Sequence, residues 1–119
     1  MRKNKSTVDT IKGYSSFKGG WDFGEGKPFS REVIEKAISL VEKGEAYGFL
    51  IEAFPEVVGA ITVSFVNGSH CLDISVNSNL TFDIQYEIGI GDEYQVLIQI
   101  DDIQESELEK WFLKLQIKI

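Results

Sequence analysis

Apolar and polar residues alternate almost without a break between Ala60 and Asp101, and from Tyr94 to Asp101 only Leu97 interrupts the pattern. Successive side chains of a β-strand point to opposite faces, so the alternation predicts strands with one apolar and one polar face. Three short turn signals divide the region into four strands, which we expect to form an antiparallel meander because short connections join antiparallel neighbours. These predicted turns are Val66-Asn67-Gly68-Ser69, Asn77-Ser78-Asn79 and Gly89-Ile90-Gly91-Asp92.

The last predicted strand is expected to resemble the others, with its apolar side chains on the face that the helices cover. Its alternating apolar residues are Tyr94, Val96, Ile98 and Ile100.

A first helix is predicted to begin at Ser30, because a serine hydroxyl can accept a hydrogen bond from an unpaired N–H of the first turn. Phe29 and Ile34 have the spacing of a hydrophobic staple across that turn. Gly44 stands where the helix would end in a left-handed residue. The apolar stripe of this helix comprises Val33, Ile34, Ala37, Ile38 and Val41.

The last element is predicted to be a helix that begins near residue 103 or 106. Its start is ambiguous because both Asp102–Glu105 and Ser106–Glu109 have the spacing of a capping box. Two amphipathic helices and a one-sided sheet fit an α+β two-layer sandwich, with both helices on the apolar face of the sheet. The apolar stripe of the last helix comprises Leu108, Trp111, Phe112 and Leu115.

The remaining segments carry weaker signals. Residues 1–12 are polar and charged, so we expect a flexible N-terminal arm with room for a short helical turn near its end, followed by a single α+β domain over residues 13–119. Residues 13–28 hold five glycines with aromatic residues among them, which predicts a loop pinned to the body by its aromatics. Residues 46–59 are too apolar for a free loop, and Pro55 favours an irregular or extended entry to the sheet.

Composition argues against several classes of partner. The chain of 119 residues has twelve basic and nineteen acidic residues and a net charge of −7, which disfavours binding to nucleic acid or to an anionic membrane. Its single cysteine, Cys71, leaves no internal disulfide to form. We find no signal for secretion and no membrane-spanning segment in the sequence. We therefore expect a cytoplasmic protein with no nucleic-acid and no membrane partner.

Residues with reactive side chains do not form a recognisable catalytic or metal-binding set. His70 and Cys71 are adjacent, but neighbouring side chains on a strand point to opposite faces and would not meet. One histidine and one cysteine also leave a zinc site short of its usual ligands. The glycine-rich run of residues 19–26, called the Trp21 loop below, lacks the spacing and the lysine-serine pair of a phosphate-binding loop. The sequence therefore predicts no catalytic residue, no metal and no cofactor.

The polar face of the sheet and the Trp21 loop are the candidate contact surfaces. Asp73, Asp83 and Glu87 lie on that face, and we expect it to give them neither the burial nor the proximity of an acid–base pair. We interpret the Trp21 loop mainly as structural, with a partner contact as the alternative. The acidic cluster Asp101–Glu109 is interpreted mainly as the N-terminus of the last helix, with an acidic patch for a basic partner as the alternative. The candidate partner contacts are Trp21, Asp22, Asp73, Asp83, Gln85 and Glu87.

A loop and a strand together carry a resemblance to a known group. The run Gly20-Trp21-Asp22-Phe23-Gly24 precedes Lys27-Pro28-Phe29-Ser30, and Pro55 leads into Gly59-Ala60-Ile61-Thr62-Val63-Ser64-Phe65. This order resembles a widespread group of small uncharacterised bacterial proteins with a Trp-Asp-Gly-x-Gly loop, a helix and a Gly-Gly-Ile-x-Leu-x-Trp strand that enters a hairpin. Phe23 and Ala60 replace glycines of the group. The resemblance implies an architecture and no activity, because the group has no established reaction.

The leading hypothesis from the sequence is a non-enzymatic protein-interaction module that uses its open sheet face, an edge strand or the glycine-aromatic loop. Its partner is another protein or a second copy of the chain. One alternative is a small-molecule-binding or enzymatic domain with a cleft at the Trp21 loop, where Asp22 or Glu25 supplies the polar group. A second alternative is an acidic inhibitor of a basic or nucleic-acid-binding protein.

Overall fold

The computed structural model of the chain describes residues 5–22 and 24–117. Within these ranges, the helices are α1 (Lys5–Gly13), α2 (Arg31–Ala46) and α3 (Leu108–Ile117). Single turns of 3-10 helix follow α1 at Tyr14–Ser16 and precede α3 at Glu105–Glu107. The strands are β1 (Leu50–Pro55), β2 (Ile61–Asn67), β3 (His70–Val76), β4 (Phe82–Ile90) and β5 (Glu93–Ile103).

The strands form one antiparallel sheet in the order β1-β2-β3-β4-β5, which confirms the predicted α+β class and antiparallel sheet. The prediction of four strands was wrong, because residues 50–55 pair with β2 from Leu50–Val66 to Pro55–Ile61. Pro55 has no N–H to give to a neighbouring strand. It is accommodated because β1 lies at the edge of the sheet and Pro55 is its last residue.

Helix α1 occupies most of the segment for which the sequence predicted a flexible arm. Val8 and Ile11 are buried in the hydrophobic core, and the helix packs on both β1 and α2. Most of the stability of so short a helix comes from packing of its apolar face, which local sequence does not reveal. The described ranges therefore hold three helices where the sequence predicted two, and residues 1–4 of the predicted arm lie outside those ranges.

The helices pack on one face of the sheet and enclose one hydrophobic core. Helix α2 lies over β1, β2 and β3, and α3 lies over β2 and β3. The alternation correctly predicted which residues of the three middle strands face the helices. These buried residues are Ile61, Val63 and Phe65 in β2, Leu72, Ile74 and Val76 in β3, and Phe82, Ile84 and Tyr86 in β4.

Helix α2 begins as the sequence predicted and ends later. The Ser30 side-chain oxygen accepts a hydrogen bond from the N–H of Val33 at 3.2 Å. Gly44 does not end the helix, which continues to Ala46. It lies instead against the ring of Phe65, where a Cβ would overlap the nearest ring carbons. The left-handed residue after the helix is Gly48, with φ +81°.

The start of α3 uses a capping box that differs from both predicted pairs. The N–H of Gln104 donates to Glu107 Oε2 at 3.0 Å, and the Gln104 side chain completes the box with the backbone of Glu107. Glu105 instead contacts α2, with 2.5 Å to Lys36 Nζ and 3.5 Å to Lys43 Nζ. The hydrogen bond from Lys36 lowers the pKa of Glu105, so this ion pair fastens the start of α3 to α2.

Replacing Gly44 with alanine should lower the free energy of unfolding by about 1–3 kcal/mol, because the new methyl group overlaps the fully buried ring of Phe65. Gly13 is the matched control, since it has φ −63° and a Cβ there would meet nothing within 4 Å. Gly13→Ala should be neutral or stabilise the protein by up to about 1 kcal/mol. Urea denaturation measures both, and equal effects of the two substitutions would contradict the close contact at Gly44.

Candidate interaction surface

The Trp21 loop is closed by its own side chains. Trp21 Nε1 donates to the carbonyl of Lys27 at 2.7 Å, and its ring packs on Phe17 and Phe29 with centroid distances of 5.0 and 5.6 Å. Gly26 lies against the indole with φ +98°, where a Cβ would come within 2.7 Å of the ring. The indole is therefore engaged in holding the loop together.

Asp22 belongs to the same closed loop. Its N–H donates to the carbonyl of Glu25 at 2.7 Å, and the N–H of Glu25 donates back at 2.9 Å. The N–H of Lys27 donates to the carbonyl of Val57 at 2.8 Å, which fastens the loop to the segment after β1. None of these contacts of Trp21 and Asp22 involves the four candidate residues on the sheet.

Three of the candidate sheet residues are close neighbours on the open face. Asp73 of β3 pairs with Ser64 of β2 and with Gln85 of β4. Glu87 follows Gln85 by two residues in β4, so it lies on the same face, where it pairs with Cys71 of β3. A cleft of about 350 Å³ opens over this part of the sheet, and it is lined by Glu52, Phe54, Ser64, Val66, Cys71, Asp73, Glu87 and Tyr94.

Asp73 and Glu87 interact directly, which corrects the expectation that carboxylates on this face are separately solvated. A hydrogen bond between the two carboxyl groups raises the pKa of Glu87, and partial burial raises it further. Ser64 Oγ donates to Asp73 Oδ1 at 2.5 Å, and Gln85 Nε2 donates to Glu87 Oε1 at 3.0 Å. The two acids meet because the pairing of β3 with β4 places them on diagonal positions of one face.

Cys71 is a poor nucleophile in this position. Burial raises the pKa of its thiol to about 12, and the nearby Asp73 and Glu87 act in the same direction. The thiol donates to Asp73 Oδ1 at 3.4 Å. His70 lies on the opposite face of the sheet, where its Nδ1 is 2.8 Å from the hydroxyl of Tyr86. The two adjacent side chains diverge, as expected for a strand, and form no catalytic pair.

Asp83 has a structural role at one end of the sheet. Its Oδ1 accepts hydrogen bonds from Asn77 Nδ2 at 3.0 Å and from the N–H of Asp102 at 2.9 Å. Asp102 has a left-handed backbone with φ 57°, and the strand register shifts nearby. Asp83 therefore holds the distorted end of β5 against the turn between β3 and β4.

Strand β5 is the largest departure from the sequence prediction. Its apolar side chains were expected to lie under the helices, yet every residue from Glu93 to Asp102 is exposed. The exposed fraction is 61% for Tyr94 and still 38% for Ile98. The apolar residues exposed along this strand are Tyr94, Val96, Leu97, Ile98 and Ile100.

A β-bulge at Leu97 distributes these side chains over both faces of the sheet. Tyr86 pairs with Ile98 and Glu87 pairs with Val96, so Leu97 is an extra residue in β5. Val96 therefore shares the open face with Glu87, whereas Ile98 shares the helix-side face with Tyr86. The four alternating residues of β5 therefore lie on two faces, whereas the sequence predicted one face for all four. The sequence signal for this bulge is Leu97 itself, the one break in the alternation from Tyr94 to Asp101.

The outer edge of β5 is unpaired within the described part of the chain. The N–H of Gly89 donates to the carbonyl of Ser69 at 2.7 Å and so points away from β5. The pair Gly89–Tyr94 is therefore of the non-hydrogen-bonded type, in which the N–H and C=O of Tyr94 point to the free edge. Val96, two residues further along the strand, has the same orientation.

The opposite edge of the sheet is closed. Thr7 Oγ1 of α1 donates to the carbonyl of Ile51 at 2.9 Å, and the hydroxyl of Tyr14 donates to the carbonyl of Ala53 at 3.3 Å. Pro55 ends the strand without an N–H. Covering an edge in this way prevents its pairing with other chains. Among the described residues, β5 has no such cover.

Comparisons of the chain with protein-family models, with curated proteins and with solved structures found no match. The resemblance to the Trp-Asp-Gly-x-Gly proteins therefore stays a prediction. No helix in residues 5–22 and 24–117 is long and apolar enough to cross a membrane. In the same ranges, no group of three or more His, Cys, Asp or Glu side chains is arranged to hold a metal ion.

Replacing Glu87 with glutamine should stabilise the protein at neutral pH by about 0.5 kcal/mol, because the amide keeps a contact with Asp73 without a second negative charge. Folding raises the pKa of Glu87, so the protonated side chain stabilises the folded protein at low pH. This stability is lost as the pH rises from about 4.3, the pKa of a glutamate in the unfolded chain, through the higher pKa of the folded state. Below that window both states are protonated and the gain should disappear. Urea denaturation as a function of pH measures the difference.

The control for this substitution is Glu93→Gln, which removes the same charge from an exposed position on the neighbouring strand. A gain that is equal in the two variants would assign the effect to net charge and contradict a specific Asp73–Glu87 contact.

Cys71 should react slowly with a thiol-specific reagent at about pH 8, because a pKa near 12 leaves little reactive thiolate in the folded protein. Unfolding in urea should restore the rate of an ordinary cysteine. Asp73→Asn should give an intermediate rate, since it removes one of the charges that oppose ionisation but leaves the burial. A folded-state rate equal to that of the unfolded chain would show that the thiol is not protected.

Proposed function

We propose that the protein is a non-enzymatic interaction module that binds an extended segment of a protein chain along β5. The observation that carries this proposal is an edge strand of eleven residues with apolar side chains exposed on both faces, whose outer edge has no partner strand in the described ranges. In β-strand addition, main-chain hydrogen bonds supply affinity and alternate side chains supply specificity. Strand β5 offers both kinds of contact.

The apolar side chains of β5 support a specific and moderate affinity. Tyr94 and Val96 would be covered on the open face, and Ile98 and Ile100 on the helix-side face. Complete burial of one such side chain contributes about 1.5–3 kcal/mol, and these residues are already partly buried. The loss of rotational and translational freedom on association opposes this gain. Main-chain pairing along the strand is therefore needed for stable binding.

The open face next to β5 supplies polar contacts for the same partner. Tyr94 borders the cleft that contains Asp73 and Glu87, and Gln85 pairs with Gln99 of β5. We therefore propose Asp73, Gln85 and Glu87 as partner contacts. The proposal omits the other three sequence candidates, because the bonds formed by Trp21, Asp22 and Asp83 serve the fold.

Substitution of Val96 tests the proposed binding. Val96→Pro removes an N–H that points to the free edge and no hydrogen bond to β4, so strand addition should be lost and the fold kept. Val96→Thr keeps the N–H and the branched shape and is the matched control. Affinity capture from lysate of the cells that make the protein should recover the same partner with wild type and Val96→Thr and at least about tenfold less with Val96→Pro.

Circular dichroism and thermal melting of each variant establish that the fold is intact. If Val96→Pro melts at a much lower temperature, Tyr94→Pro removes another outward N–H and repeats the test. Partner recovery that is unchanged in a folded proline variant would contradict binding along β5.

A further inference from the structure

Charge is divided unevenly between the sheet and the rest of the chain. All twelve Lys and Arg residues lie outside residues 44–109, a stretch that contains all five strands and thirteen of the nineteen carboxylates. The exposed apolar centre of β5 has acidic residues at both ends. These residues are Asp92 and Glu93 at its start and Asp101 and Asp102 near its end, and all four are exposed.

The acids at the two ends of β5 oppose pairing between two copies of the chain. In an antiparallel pair centred on Leu97, Glu93 of one copy lies opposite Asp101 of the other at both ends. A parallel pair in register places each acid beside its own counterpart. Like charges directly opposite one another destabilise a sheet, and charged residues on edge strands are a common protection against self-pairing. The edge is therefore unfavourable for a second copy and favourable for a strand of opposite charge.

We infer that the occupant of β5 is an extended segment of a different protein, with an apolar centre and with lysine or arginine at both ends. The inference rests on the proposed function and adds the chemistry of the partner to it. Seven residues separate Glu93 from Asp101, which sets the length of the apolar centre at about five to seven residues. Complementary charges at the two ends fix the register, raise the association rate and reject acidic strands.

The cleft on the open face offers a further place for a basic side chain of the same segment. A strand paired with β5 directs alternate side chains to this face, on which Tyr94 borders the cleft. Glu52, Asp73 and Glu87 line that cleft with negative charge. Their position on the open face adds to the charge at the strand ends and favours the same class of partner.

Fluorescence anisotropy with labelled peptides and the full chain tests this inference. The first peptide has a centre of alternating valine and threonine between two pairs of lysines. The second has the same centre between two pairs of glutamates, and the third keeps the lysines but carries prolines at alternate central positions. The first should bind at least about tenfold more tightly than the second and should weaken as salt is added. The third should not bind, because it cannot form a strand.

Substitutions in β5 test whether the preference for the lysine-flanked peptide depends on the charges of Glu93 and Asp101. The double variant Glu93→Lys/Asp101→Lys should reverse the preference, so that the glutamate-flanked peptide binds more tightly. Val96→Pro should abolish binding of both peptides, whereas Val96→Thr should not. Neither Glu93 nor Asp101 forms a side-chain hydrogen bond or ion pair among the described residues, so the double variant should fold normally.

Other outcomes would overturn the inference in distinguishable ways. Equal affinity for the two peptides, with both lost in Val96→Pro, would remove the charge preference and leave the proposed function in place. A wild-type dimer in sedimentation equilibrium that Val96→Pro dissociates would identify a second copy as the occupant instead. Binding of the lysine-flanked peptide that Val96→Pro does not reduce would contradict both the inference and the proposed function. No binding of that peptide at about 1 mM would overturn the inference, and the capture experiment would then decide the function.

Discussion

The close packing of two helices on Phe65 is the contact on which the rest of the structure depends. Gly44 lets the backbone of α2 approach this ring, and Phe112 of α3 meets the same ring edge-on with a centroid distance of 4.9 Å. Both helices therefore pack on the same side chain of β2, with α2 over β1, β2 and β3 and α3 over β2 and β3. A helix is about 10 Å wide and strands are about 4.8 Å apart, so two helices cover about four strands. With α1 beside β1, the helical cover is displaced toward that edge, and β5 at the other edge is left bare.

The division of the middle strands into a buried and an open face could be predicted from the sequence, because alternation with a period of two reports which residues share a face. It does not report whether anything covers that face. Ile98 and Ile100 follow the same pattern as Ile74 and Val76, and only the position of their strand in the sheet separates exposed from buried residues. Gly44 shows the same limit. A glycine near a helix end can provide a left-handed residue after the helix or a close approach to a neighbouring side chain, and the sequence does not distinguish the two.

The candidate surface was predictable in part. The open face and its carboxylates follow from the alternation. The contact between Asp73 and Glu87 depends in addition on the register of β3 against β4, which brings these two residues, fourteen positions apart in the chain, to diagonal positions of one face. The bare edge depends on strand order. The sequence placed β5 last in a meander, yet it did not reveal that Thr7 of α1 and Tyr14 of the turn after it close the other edge.

The distribution of basic residues also determines which segments of the chain can be modified at lysine or cleaved by trypsin. Lysine is the side chain that acetyl, methyl and ubiquitin groups modify, and trypsin cuts only after lysine or arginine. The sequence has no such residue between Lys43 near the end of α2 and Lys110 in α3. Amine-directed modification of this chain is therefore confined to the segments before and after the sheet, and trypsin releases all five strands as one uncut fragment, from Gly44 to Lys110.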